Sequence, residues 1–244
     1  MRNVALISGG SRGIGAACVQ AMARAGYTVI FLYHHHQAEA EALTAELRGE
    51  GCDVTCRACD IGDFAQAQAT VAELLTVYRH IDVLVNNAGI AHIGLFTDMT
   101  EQQWDRLFAV NLKGAFALTQ AVLPGMISRQ RGAIVNIASM WGEVGASCEA
   151  AYSASKAALI GLTKALSKEV GPSGVRVNCV SPGVIATDMN AELDAEALGA
   201  LREETPLQRI GTAEDVAKTV LFLSGEGAAF ITGQVVGVSG GLVV

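Results

Sequence analysis

The sequence is poor in positive charge, and this argues against one class of partner. Lysine and arginine number 17 against 24 acidic residues, which gives a formal net charge of -7. The cations are spread along the chain and form no basic block, whereas nucleic-acid-binding proteins usually concentrate theirs on one face or helix. We therefore expect no nucleic acid among the partners.

Long apolar runs and an export signal are also missing from the sequence. No apolar run approaches the ~20 residues that a helix needs to cross a bilayer. The first three residues, Met1, Arg2 and Asn3, lead straight into the strand-like residues 4–7, which leaves no room for a signal peptide. We expect no membrane segment.

Cysteine is too scattered for a disulfide scaffold, which favours a reducing compartment and predicts a cytoplasmic location. The six cysteines are Cys18, Cys52, Cys56, Cys59, Cys148 and Cys179. Two of them have C-x-x-C spacing, and residues 34–36 form a histidine tract. A structural zinc site needs four ligands, however, and no second C-x-x-C or spaced histidine pair follows. The sequence predicts no metal site.

Short apolar strands alternate with helices along the whole chain. The 244 residues, half of them hydrophobic, suit a single α/β domain over residues 1–244. Strands are predicted at 4–8, 28–33, 53–58, 81–85, 133–137, 175–180 and 234–238. Helices are predicted at 16–25, 38–48, 64–78, 101–128 and from 152 onward. This order predicts a Rossmann fold: a doubly wound, seven-stranded parallel sheet with helices on both faces and a ligand crevice at the carboxyl ends of the strands.

A glycine turn joins the first strand to the first helix. Gly9, Gly13 and Gly15 have the spacing G-x-x-x-G-x-G. Glycines in this context let the backbone and the helix terminus approach a pyrophosphate. We predict that this turn, including Ser11 and Ile14, binds a dinucleotide.

The end of the second strand favours NADP over NAD. After Tyr33 come His34, two more histidines and Gln37, and no acidic residue appears before Glu39. NAD enzymes usually place an acid here to bind the ribose 2′-hydroxyl, whereas a 2′-phosphate favours cations. Arg12 in the glycine turn can supply that cation, and the histidines can add hydrogen bonds or merely form a solvated loop.

Tyr152 and Lys156 lie four residues apart in a run with helical periodicity, and so share one helical face. A neighbouring cation favours the phenolate of a tyrosine and lowers its pKa, which suits the phenol to exchange protons with a carbonyl or alcohol oxygen. An isolated pair of this kind more often just covers a surface. The other motifs of the chain decide between these interpretations.

Seven motifs occur in a fixed order along the chain, and together they resemble those of the short-chain dehydrogenase/reductase family from Val4 to Gly241. They are Gly9-x3-Gly13-x-Gly15, Asp60-Ile61, Asn86-Asn87-Ala88-Gly89, Asn111, Ser139, Tyr152-x3-Lys156 and Ser181-Pro182-Gly183. Singly, each motif has a structural alternative, such as a turn for Asp60, a loop cap for Ser139 or a solvent-facing position for Asn111.

The resemblance implies catalytic roles for four of these residues. Tyr152 would be the general acid in ketone reduction, and Ser139 would polarise the substrate carbonyl. Lys156 would lower the pKa of Tyr152 and bind the nicotinamide ribose. Asn111 would hold a water that relays protons to Lys156.

The resemblance also implies NADP(H) as cofactor and further contacts with it. Asp60 and Ile61 would contact adenine. Residues that would line the rest of the cofactor, up to the nicotinamide, are Asn87, Ala88, Gly89, Pro182, Gly183, Ile185 and Thr187.

Residues 187–205 would form the substrate lid. The sequences of this lid and of the carboxyl-terminal motifs are similar to those of the 3-oxoacyl-[acyl-carrier-protein] reductases. Trp141, Glu149 and Met189, together with Ser139 and Tyr152, are the candidate substrate residues. The stretch before Tyr152 is more similar to a branch that reduces a 5-aminopentanone group on elongation factor P, where Glu149 would receive the amine.

The resemblance therefore implies a carrier-bound or small-molecule ketone as substrate, and acyl carrier protein or elongation factor P as partner. A non-catalytic NADP-binding relative would be expected to lack Tyr152, Lys156 or Ser139. Members of the family are usually homotetramers, here with contacts expected along 104–127, 154–170 and the apolar carboxyl end.

Overall fold

The structure is a computed structural model that describes residues 2–187 and 195–243. Within these residues seven strands occur: β1 Val4–Ser8, β2 Thr28–Tyr33, β3 Val54–Ala58, β4 Val83–Asn86, β5 Gly132–Ile137, β6 Val175–Pro182 and β7 Val235–Val238. The α-helices are α1 Gly13–Arg24, α2 Gln37–Gly49, α3 Phe64–Tyr78, α4 Glu101–Phe108, α5 Gly114–Ser128, α6 Trp141–Val144, α7 Ala150–Val170, α8 Ala195–Glu204 and α9 Ala213–Ser224.

The seven strands form one sheet in the order β3-β2-β1-β4-β5-β6-β7, and every pairing is parallel. The chain leaves edge strand β3 and returns to pair β4 with β1, so the direction of winding reverses between β1 and β4. In such a sheet the ligand crevice opens at this reversal, outside the carboxyl ends of the strands. The predicted fold is confirmed.

Successive residues of the central strands point to opposite faces of the sheet. Ala5 and Ile7 of β1 pack into one core, beneath α1, α2 and α9. Val4 and Leu6 pack into the other core, beneath α3, α5 and α7. Because the strands are covered on both faces, they are near-continuous apolar runs, as parallel sheets require. Full burial of each large aliphatic side chain contributes about 1.5–3 kcal/mol.

Two strand boundaries differ from the prediction by two residues. β4 begins at Val83 and not at residue 81. Just before it, Asp82 is bonded twice to Val4: its backbone N–H donates to the Val4 carbonyl at 2.8 Å, and its carboxylate accepts the backbone N–H of Val4 at 2.8 Å. β6 continues past residue 180 to Pro182, in register with β7, which brings the Ser-Pro-Gly motif directly to the crevice.

The predicted helix over 101–128 contains a π-helical turn, Ala109–Lys113, between α4 and α5. Contrary to the expectation that no stretch is apolar enough, Glu101–Ser128 has the length and hydropathy of a membrane span, although half of its most apolar window is buried within the protein. That burial is typical of a core helix. It is the one such stretch among the residues that the structure describes.

Candidate active site

A cleft of about 510 Å³ lies at the carboxyl ends of the strands. Every residue predicted to bind the cofactor lines it: Gly9, Ser11, Arg12, Gly13, Ile14, Gly15, Tyr33, His34, Asp60, Ile61, Asn87, Ala88, Gly89, Tyr152, Lys156, Pro182, Gly183, Ile185 and Thr187. These residues come from six separate segments, which the parallel sheet brings to a single edge. One continuous site is therefore formed from motifs that are far apart in sequence.

The glycine turn is packed too closely to accept larger side chains. A Cβ atom on Gly15 would lie 2.0 Å from the carbonyl oxygen of Gly9. Gly9 itself has a φ of +66° and faces the backbone of Ala88. The amide nitrogen of the Asn87 side chain donates to the carbonyl of Gly9 at 3.0 Å. The turn is held open toward the cleft, and its backbone fits a pyrophosphate at the start of α1.

The far end of the cleft carries charges of both signs. His34 lies 3.8 Å from the carboxylate of Asp60, and Asp60 forms a bidentate ion pair with Arg106 at 2.8 and 3.1 Å. Arg12 lies in the cleft lining and acts electrostatically on Glu39. Arg12, the cation predicted to bind a 2′-phosphate, therefore lines the cleft, and Glu39, the first acidic residue after β2, is near enough to be influenced by its charge.

At the other end of the cleft, Tyr152 and Ser139 are both buried, and Ser139 is near enough to the phenol to lower its pKa. Tyr152 is contributed by the first turn of α7, and Ser139 follows β5. The backbone N–H of Trp141 donates to the Ser139 oxygen at 3.2 Å, which fixes this hydroxyl at the strand end.

Lys156 follows one turn later on α7 and is also buried. Its Nζ donates to the backbone carbonyl of Ile137 at 2.8 Å and lies 5.7 Å from the centre of the Tyr152 ring. Burial lowers the pKa of Lys156 to about 8, although the neighbouring Cys179 partly offsets this shift.

The predicted direction of the Tyr152 pKa is wrong for the protein as the structure shows it. Burial raises the pKa of Tyr152 to about 12; the nearby Ser139 hydroxyl acts in the opposite direction, and the nearby Glu149 raises it further. The cost of desolvating a phenolate is the largest of these causes. At neutral pH the phenol therefore keeps its proton.

Asn111 lies in the π-helical turn and is fully buried. Its Oδ1 accepts the backbone N–H of Ile90 at 2.8 Å, and its Nδ2 donates to Ile90 O at 2.9 Å and to Ser155 Oγ at 3.0 Å. A Cβ atom built on Gly89 would lie 3.2 Å from Lys156 Nζ and 3.5 Å from Asn111 Oδ1. Lys156 and Asn111 thus both border Gly89, where a larger residue would crowd the ammonium group.

The structure does not bring all the candidate substrate residues into the cleft. Trp141 packs with Leu107 and Tyr152 in a small apolar cluster. Among the described residues, the cleft lining includes Ser139 and Tyr152 but neither Trp141 nor Glu149. Glu149 is the residue before α7, and burial raises the pKa of its carboxyl group. Met189 lies outside the described residues, as does most of the amino-terminal part of the predicted lid.

Several cleft residues were missed by sequence reasoning. They are Leu32, Cys59, Ile90, Arg106, Val110, Ile137 and Ala138. Most contribute apolar surface next to a recognised motif. Arg106 is different because it is charged and pairs with Asp60, which lies 46 positions earlier. Its place on the polar side of a capped helix gave no sequence signal for that contact.

Comparisons with known proteins agree with this geometry. A family model described as "Enoyl-(Acyl carrier protein) reductase" matches residues 9–243. The chain is 39% identical over 242 residues to the 3-oxoacyl-[acyl-carrier-protein] reductase FabG of Staphylococcus aureus strain Mu50, with 99% of this chain and 98% of that protein covered.

Two solved structures extend the comparison. A blue fluorescent protein from a metagenomic library in complex with NADPH has a TM-score of 0.93 and 35% identity, and the match covers 99% of this chain and 98% of that one. A gluconate 5-dehydrogenase from Burkholderia cenocepacia J2315, in complex with NADP and tartrate, has a TM-score of 0.93 and 33% identity over 98% of this chain and 94% of that one. Near-identical folds in this group therefore carry different names.

Proposed function

The chain belongs to the short-chain dehydrogenase/reductase family, and on this basis we propose that it is an NADPH-dependent reductase of 3-oxoacyl thioesters bound to an acyl carrier protein. The observation that carries the proposal is the pair of buried hydroxyls, Ser139 and Tyr152, beside Lys156 at one end of the cleft. Its support is the 39% identity over nearly the whole length to a reductase with this name.

The chemistry required is the addition of a hydride and a proton across a carbonyl bond. NADPH, when bound, supplies the hydride to the carbonyl carbon. Ser139 donates a hydrogen bond to the carbonyl oxygen and polarises it. Tyr152 gives that oxygen its proton, which leaves a phenolate and completes the alcohol. The positive charge of Lys156 stabilises the phenolate as it forms.

NADP(H) is the cofactor in this proposal, and the residues fit it. The glycine turn leaves the backbone free for the pyrophosphate, and the Arg12 side chain borders the cleft where a 2′-phosphate is expected. Two of the compared structures hold NADPH or NADP.

The partner would be an acidic carrier protein, and the chain has cations for it. Arg129 and Arg131 lie together at the start of β5, near Arg2. Arg131 has more than half of its side chain exposed. Complementary charge of this kind raises the rate of association with an acidic partner.

The assembled form would be a homotetramer. Phe116 and Ile127 on α5 are exposed, and so are Phe222 on α9 and Phe230 after it. Large apolar side chains in such positions favour contacts between copies. Sedimentation as a monomer at micromolar concentration would contradict this assembly.

A second candidate substrate is an aminoketone such as the 5-aminopentanone group on elongation factor P, and Glu149 favours it. Its carboxylate is partly buried and has no hydrogen bond or ion pair within the described part of the chain. It also lies close enough to Tyr152 to act on it electrostatically. A desolvated carboxylate beside a reacting group would gain by pairing with an ammonium group, which a plain acyl thioester lacks.

The test is NADPH oxidation with acetoacetyl thioesters of acyl carrier protein and of coenzyme A, and with an aminoketone, run for wild type and for Glu149→Gln. Robust turnover, unaffected by the substitution, would support the acyl thioester. Absence of turnover in a protein that still binds NADPH would reject it, and a loss in Glu149→Gln confined to aminoketones would favour the second candidate. Binding of NADPH without turnover of any ketone would point to a non-catalytic relative.

A further inference from the structure

The end of the cleft that lies beyond β3, away from Tyr152, is an apolar slot with a charged rim. Leu32, Ile61 and Val110 line the slot, and Asp60 and Arg106 stand at its rim. A flat aromatic ring fits among apolar side chains, and a carboxylate at its edge can accept a hydrogen bond but cannot donate one. The slot therefore suits a purine ring that carries an amino group.

Arg106 holds both oxygens of the Asp60 carboxylate. Its Nη1 lies 2.8 Å from Oδ2 and its Nη2 lies 3.1 Å from Oδ1, the parallel geometry that orients a carboxylate most strictly. The backbone N–H of Gly62 donates to Oδ1 at 2.9 Å. Burial acts to raise the pKa of Asp60, but the hydrogen bonds from Arg106 and Gly62 outweigh it and keep the pKa below its usual range.

The segment around Asp60 is packed directly against the helix that carries Arg106. A Cβ atom on Gly62 would lie 2.6 Å from Arg106 Nη1, and one on Gly114 would lie 2.6 Å from Ile61 Cδ1. The guanidinium group thus lies over Gly62, and the segment has little freedom to shift. The carboxylate is oriented before any ligand arrives.

We propose that Arg106 is a positioning residue for recognition of the adenine base: it fixes the Asp60 carboxylate in the orientation that accepts a hydrogen bond from the exocyclic amino group. Arg106 acts through Asp60 and does not itself take part in the reaction. The inference rests on the proposed NADPH cofactor but is independent of the ketone. A carboxylate turned by loss of its partner would no longer distinguish an amino group from a carbonyl oxygen at the same ring position.

The test compares the dissociation constants of NADPH and of its hypoxanthine analogue, in which a carbonyl oxygen replaces the amino group, by fluorescence titration of the nicotinamide. In the wild type we expect NADPH to bind about 10- to 100-fold more tightly, the factor that one charge-assisted hydrogen bond supplies. Arg106→Gln should bring the ratio to about one. Arg106→Lys should give an intermediate ratio because lysine offers a point charge and no planar fork. Arg57→Gln, at an exposed arginine on β3, is the control and should leave the ratio unchanged.

A ratio that is unchanged in Arg106→Gln would overturn the proposal, even if both affinities fell, because that result would indicate a structural role alone. A wild type without preference for adenine would overturn it as well. If Arg106→Gln does not fold, as judged by circular dichroism, Arg106→Lys decides the question. The titration needs no ketone, so it can be interpreted even if the thioester assay shows no turnover. Failure of the proposed ketone substrate and failure of the role of Arg106 can therefore be distinguished.

Discussion

The Nζ of Lys156 donates a hydrogen bond to the backbone carbonyl oxygen of Ile137, at 2.8 Å. This contact anchors the end of a buried lysine to the last residue of β5, two positions before Ser139. Within the described residues a neutral carbonyl, and no carboxylate, is the hydrogen-bond partner of this ammonium group. The absence of a paired negative charge lets burial lower the pKa of Lys156.

The first prediction is that ketone reduction is lost at mildly alkaline pH. With a pKa lowered to about 8, Lys156 is charged below that pH and neutral above it. Tyr152, raised to about 12, keeps its proton throughout, so the loss of activity follows the lysine. We expect kcat/KM for the ketone to be level below pH 8 and to fall above it, measured at saturating NADPH. A profile that stays level until about pH 10, the ordinary range of tyrosine and lysine, would contradict this assignment.

Replacement of Tyr152 by Phe tests the proton donor directly. The substitution removes one hydroxyl from a packed ring and should leave the fold and NADPH binding nearly intact. We expect kcat to fall by about 100- to 10,000-fold, the usual contribution of a general acid. The dissociation constant for NADPH serves as the control, and a parallel loss of cofactor binding would show that the ring itself, and not its proton, matters.

Arg12→Ala addresses cofactor selectivity. If the guanidinium group binds the 2′-phosphate, its removal should weaken NADPH far more than NADH, because NADH carries a hydroxyl at that position. Both dissociation constants are measured by fluorescence titration. Equal losses for the two cofactors would rule out the assigned role and would point to a contact with the shared pyrophosphate.

Gly15→Ala should disrupt the dinucleotide turn, since its Cβ would approach the Gly9 carbonyl to 2.0 Å. We expect a clear fall in the melting temperature and loss of NADPH binding. The matched control is Gly49→Ala in the last residue of α2, where no atom lies within 4 Å of the added carbon. Because alanine is the better helix former, that variant should gain up to about 1 kcal/mol in the free energy of unfolding. Equal melting temperatures for the two variants would refute the steric argument.

Much of the fold could be predicted because its determinants are local. The bounds of α3 agree with the prediction at both ends, since Asp63 accepts the N–H of Gln66 as an N-cap and Arg79 leaves the helical region with a φ of 68°. The start of β4 was misplaced by two residues, in a region where Asp82 bonds to Val4, a contact between residues 78 positions apart. Periodicity in a single segment does not report such a bond.

The parts of the candidate site that depend on local sequence motifs were also predictable. The glycine turn and the Tyr152-Lys156 spacing are visible in the sequence, and the fold brings them together. The pKa of Tyr152 was not predictable, because its direction depends on how completely the ring is buried. The Asp60–Arg106 pair was missed for a related reason, as it joins a loop and a helix that meet only in the folded chain.

The π-helical turn at Ala109–Lys113 is equivalent to a single residue inserted into an otherwise continuous helix. Deleting one residue there would restore a regular hydrogen-bond ladder, and an isolated helix of that shorter sequence would be the more stable. Because the wider turn already absorbs the extra residue, the deletion would leave α4 and α5 in nearly their present orientation and would move mainly the residues of the turn itself. The Asn111 side chain would then turn away from Ile90 and Ser155. A shortened chain would keep its fold but lose the present orientation of this side chain.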